Sequence, residues 1–179
     1  MPIRPEHPLR RFFTPFVHRH VQGDPAVAEY VSGVLADFAQ AERLYRIRNA
    51  KGERLEDVGE MLLESNPLLE ARSFDREREV RKHIGDYTMF LAGLFPEFVA
   101  SLPRRGLRLD RMVDYVQAGK ESYRIVAAFN VFEYRREAPL FHKLADSFEL
   151  CVHGLNQMKR DLESIQQENY RRWGRTLSG

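Results

Sequence analysis

Pro139 to Gln166, PLFHKLADSFELCVHGLNQMKRDLESIQ, decides the fold class of this chain. Phe141, Leu144, Phe148, Cys151, Leu155, Met158, Leu162 and Ile165 alternate steps of three and four without a break. Such steps hold every apolar side chain on one side of a helix but scatter them over both faces of a strand. The stretch is therefore an a/d helical seam. With Pro139 at its first turn, the helix spans roughly 40 Å at about 1.5 Å per residue. A seam of that length needs cover, so other helices are expected against it.

The rest of the chain supplies them. Asp24-Pro25 reads as a helix start, an N-cap carboxylate followed by proline in the first turn. From there Val27, Val31, Val34, Phe38, Ala41 and Tyr45 predict a helix to about Arg46, with Asn49 to Gly52 as a turn. Leu55, Val58, Met61 and Leu62 mark a short helix that stops before Asn66-Pro67. Ser73 is placed to cap the next helix, whose stripe is Val80, Ile84, Tyr87, Leu91 and Leu94 and which gives way near Pro96. Gly85 inside that helix implies close approach of another backbone, because glycine weakens a helix interior. Leu109, Met112, Val116, Gly119, Tyr123 and Val126 predict a helix from about Asp110 to Phe132. Near the start, Leu9, Phe12, Phe13, Phe16 and Val17 predict a short helix over Pro8 to His20, with Pro15 inside it.

Four long stripes and no strand-like alternation predict an all-α fold with a four-helix-bundle core. Short N-terminal and connecting helices would close its ends. The expected organisation is an N-terminal arm at 1–24, a bundle domain at 25–166 and a basic, aromatic tail at 167–179.

The 179 residues suffice for one domain with a full core. A hydrophobic fraction of 43% against 30% charged residues speaks against disorder. The formal net charge of +2 is too small to imply nucleic acid by itself. The single Cys151 leaves no intramolecular disulfide and fits a reducing compartment. Met1 to Phe16 holds no apolar run of signal-peptide length, and no stretch is apolar enough to span a bilayer. A cytoplasmic protein is the expectation.

No phosphate-binding glycine loop, zinc-protease motif, nucleophile elbow or paired-cysteine site is present, so chemistry must be sought in helix faces. His142, Asp146, Glu149 and His153 step four, three, four and form one row. Glu79, His83 and Asp86 form a second row on an earlier helix. Facing each other, the rows would supply imidazoles and carboxylates to iron, manganese or zinc. The spacing here is Glu-x-x-x-His, at Glu79 to His83 and Glu149 to His153, whereas bundle di-metal sites use Glu-x-x-His. Solvated flanks are the plainer reading, and no cofactor is expected. His18 and His20 fall on nearly opposite helix faces and read as surface residues. Lys120 reads as a boundary lysine, and Tyr87, Tyr115 and Tyr123 as core-edge tyrosines with satisfied hydroxyls. Tyr170, Arg171, Arg172, Trp173 and Arg175 interleave cations with aromatics, a pattern able to stack on bases, but the charge is not spread over a face.

From Met158 onward only a narrow seam remains, Met158, Leu162 and Ile165, among Lys159, Arg160, Asp161 and Glu163. The other helices are shorter, so this one is expected to outrun them. Met158, Leu162, Ile165 and Trp173 are then expected in a homodimer interface, with Phe12, Phe13 and Phe16 folded over the seam as the alternative. The leading functional reading is a non-enzymatic protein that self-associates and presents helix faces to a protein partner. A metal- or cofactor-binding bundle with a redox role is the competing class, and nucleic-acid association through the tail is the third.

Overall fold

The computed structural model describes residues 8–66, 68, 73–102 and 111–177, the side chains of 111 and 169–177 excepted. The side chains of the tail, Trp173 included, lie outside what is described.

The chain is all-α. Among the described residues the only β feature is an isolated antiparallel bridge between Arg48 and Arg54. Nine α-helices are described: α1 Pro8–His20, α2 Pro25–Phe38, α3 Ala41–Leu44, α4 Val58–Glu64, α5 Phe74–Leu94, α6 Pro96–Ser101, α7 Arg111–Ala128, α8 Ala138–Asp146 and α9 Phe148–Leu177. A 3-10 turn at Phe132–Arg136 joins α7 to α8.

The caps behave as their chemistry requires. Asp24 accepts from the Ala26 amide at 2.8 Å and Ser73 from the Arg76 amide at 3.1 Å, each satisfying a donor the first helical turn leaves open. Asp57 does the same for α4 through the Glu60 amide. Pro15 leaves α1 continuous.

Two helices expected whole are each divided. The helix expected to reach Arg46 ends at Phe38, where the Gln40 amide turns to the Asp37 carbonyl in a tighter i→i+3 bond. The Arg43 guanidinium fixes the bend by reaching Asp37 and the Gln40 side chain. The bend brings Ile47 into the core at 1% exposure, a position a continuous helix would not give it. The helix expected to run unbroken from Pro139 is interrupted at Ser147, whose hydroxyl turns back onto the Lys143 carbonyl. A serine bonded to its own helix in this way bends it.

The centre of the molecule is α5. Every residue from His83 to Gly93 is buried, on all sides of the helix and not along one stripe. It packs on α7, α9 and α4, while α1 lies on α2 and α9. Such crossings need small residues. A Cβ on Gly85 would strike the Tyr123 ring, and one on Gly119 would strike the Phe148 ring and the Thr88 hydroxyl. The close neighbour of Gly85 is thus a tyrosine ring, not the backbone anticipated from sequence. Phe148, Leu91, Tyr123 and Phe38 all sit in the core.

Candidate functional site

Asp86 is the most heavily engaged polar group of the interior. It is 4% exposed, and its Oδ1 accepts from the Tyr30 hydroxyl at 2.7 Å and from the Tyr123 hydroxyl at 2.8 Å. Its Oδ2 takes Lys82 Nζ at 3.2 Å from one turn earlier on α5. A buried carboxylate survives only with such donors around it. Burial and then the Asp86 charge push the Tyr30 and Tyr123 hydroxyls well above their ordinary range, so both remain protonated donors. The Tyr30 and Tyr123 rings and the Phe141 ring meet edge-on or tilted around this point.

His83 lies beside it on α5 without exposure, its ring against Phe38 and Tyr87. Among the described residues neither ring nitrogen completes a hydrogen bond; the Leu44 carbonyl is near enough only to favour the protonated form slightly. Burial first, then the Arg46 charge, lower its pKa to about 3, so the imidazole is neutral.

The two rows read as metal ligands differ in their surroundings. His83 and Asp86 are buried, whereas His142, Asp146, Glu149 and His153 are all exposed. Glu149 is held by Lys120 at 2.6 Å, and Glu79, half exposed, pairs with Arg76 at 3.1 Å. Among the described residues no three His, Cys, Asp or Glu side chains group closely enough to hold a metal ion. Cys151 is buried, and its thiol is pushed up to about 11 by that burial.

His20 is not the surface residue it resembles in sequence. Its Nδ1 and Nε2 bond the Phe16 carbonyl and the Asp161 carboxylate, each at 2.8 Å, and so tie α1 to α9. The His20 carbonyl sits where a Cβ on Gly154 would be, so the helices meet at that glycine. Phe13 and Phe16 pack on the core while Phe12 stays half exposed.

The seam of α9 therefore divides. Met158 is buried and Leu162 is partly covered by the chain itself. Beyond it every residue from Glu163 to Glu168 is exposed, Ile165 at 49%, and the helix continues to Leu177.

One surface was not legible in the sequence. Phe74, at 73% exposure, and Phe132, at 86%, flank a recess of about 1000 Å³ between the start of α5 and the turn after α7. Phe132 holds φ at +47°, a conformation that bulky residues rarely adopt. The turn carrying it is pinned by Tyr134 on Asp75 and by Arg78, which stacks on the Tyr134 ring and bonds Glu137.

No helix among the described residues is long and apolar enough to cross a membrane. The chain matches no protein-family model, no curated protein and no solved structure.

Proposed function

We propose that this chain is a non-enzymatic interaction protein. In this reading its four long helices form a bundle that self-associates through the end of α9 and offers a further face to a protein partner. One observation carries the reading: past Leu162, α9 is exposed all round from Glu163 to Glu168, and its helix continues to Leu177. A helix that gains nothing from packing is marginal in water, so a projecting one carrying Ile165 is stabilised by a second copy. The recess beside Phe74 and Phe132 supports the partner-docking half, because large side chains left in water together mark contact surfaces.

Sedimentation velocity tests the self-association. Leu162 packs on its own chain, so Ile165→Glu is the cleaner probe. The intact protein should be a dimer at tens of micromolar, a concentration that populates any dimer of low-micromolar affinity. Ile165→Glu should be a folded monomer, and Phe132→Ser should leave the dimer intact. An intact protein that sediments as a monomer at that concentration overturns the reading.

A further inference from the structure

A cavity of about 640 Å³ opens between α1, α2, α3 and α5, away from the free end of α9. Its size falls within the range of small-molecule sites. Asp86 forms part of its floor, and Tyr30, Val34 and Phe38 give it an apolar wall. Four cations reach it from separate elements: Arg10, Arg43, Arg46 and Lys82.

These cations are not equivalent. Arg10 holds Glu29 at 2.6 Å, Arg43 holds Asp37 at 3.0 Å and Lys82 holds Asp86 at 3.2 Å. Arg46 makes no ion pair among the described residues, although Asp37, Glu42 and Asp86 line the same cavity. Its charge is nevertheless felt inside the protein, where it disfavours protonation of His83 and opposes the rise of the Tyr30 hydroxyl. A guanidinium beside a low-dielectric wall is weakly screened on that side and presents a planar fork suited to one carboxylate. Asp37 and Glu42 in the lining oppose a ligand of high negative charge, which selects a monoanion over a phosphate.

The geometry points to a binding site for a small organic acid, its carboxylate received by Arg46 with Lys82 alongside, and its apolar or aromatic body laid against Phe38, Val34 and Tyr30. Lys82 already stands over the Tyr30 ring, 5.1 Å from its centroid, so a carboxylate over that wall has a second cation within reach. Asp86 remains satisfied by the two tyrosines when Lys82 shares its charge with the ligand.

Benzoate and its neutral isostere benzamide test this, titrated into the full-length protein and followed by amide shifts in heteronuclear NMR. Benzoate should saturate, with shifts centred on 30–46 and 82–86, and benzamide should bind roughly tenfold or more weakly, about what a charge-assisted hydrogen bond is worth. Arg46 is exposed, so Arg46→Gln leaves the fold intact. That variant should weaken benzoate by a similar factor without changing benzamide, and Arg46→Lys should recover part of the loss. Equal binding of the two probes, no benzoate binding at tens of millimolar, or unchanged benzoate affinity in Arg46→Gln would each overturn the assignment. So would shifts centred on the Phe74 and Phe132 recess.

Discussion

At the scale of single residues the interior depends on Asp86 and His83, polar neighbours on α5 with opposite solutions to burial. Asp86 keeps donors; His83 gives up its charge. Tyr123→Phe removes one of the two hydroxyls on Oδ1 and leaves the ring packed, so unfolding in urea should show a loss of about 1–3 kcal/mol. A loss below roughly 0.5 kcal/mol would mean that the hydroxyl contributes nothing to holding the carboxylate. His83 makes a pH prediction. In the unfolded chain it titrates near 6.5, and in the folded protein at about 3. The unfolded state therefore binds its proton first, so the stability His83 contributes is whole above pH 6.5 and is lost as pH falls toward 3. Compared with His83→Leu, the parent chain should lose up to about 2 kcal/mol more between pH 6.5 and 5. Equal losses in both chains would contradict a neutral, buried imidazole. Sequence placed Tyr123 among tyrosines with satisfied hydroxyls, as the bond to Asp86 bears out. It placed Asp86 and His83 in a flanking row, because a carboxylate between apolar positions is recognisable as buried only once its donors are known.

At the scale of elements, α5 and α9 differ in how they announce themselves. Three-and-four spacing makes the Pro139 to Gln166 stretch conspicuous, and the structure shows helix over it on both sides of the break at Ser147. α5 is buried beyond its stripe of Val80, Ile84, Tyr87, Leu91 and Leu94, because His83, Gly85, Asp86, Thr88 and Gly93 on its other sides are covered as well. Its burial comes from neighbours on every side, and small residues are what let them approach. Gly119→Ala tests that argument. Alanine is the better helix former by about 1 kcal/mol, yet its methyl would press on the Phe148 ring and on Thr88. Overpacking of that kind costs about 1–3 kcal/mol, so thermal or urea unfolding should show net destabilisation. A more stable Gly119→Ala would mean that α5, α7 and α9 do not meet so closely. The bends at Gln40 and Ser147 left no trace in periodicity, since neither is marked by glycine or proline. Each is held by side-chain bonds, Arg43 to Asp37 in one case and Ser147 to Lys143 in the other.

At the scale of the whole molecule, the covered and uncovered parts of α9 set the argument for self-association. Its base is anchored within the chain by Lys159 on Glu97 and by Asp161 on His20. Ile165 lies beyond those anchors, so a charge there should leave the fold intact and change only the sedimenting species. The cavity beside Arg46 sits elsewhere, between α1, α2, α3 and α5, so the benzoate response of the Ile165→Glu variant should match that of the parent.

By itself the sequence determined that the chain is helical, where most helices start and many of the apolar residues that enter the core. Spacing, caps and prolines act within a few residues along the chain, and one chain displays them fully. Only the tertiary structure decided that α5 is the central helix, that His20 bonds Asp161, that Phe74 and Phe132 stay in water and that Arg46 faces a cavity. Each of these depends on groups far apart in sequence, such as His20 and Asp161 or Tyr30 and Asp86. Whether a side chain is covered, paired or left in water is a property of its neighbours in space, and no local pattern encodes it.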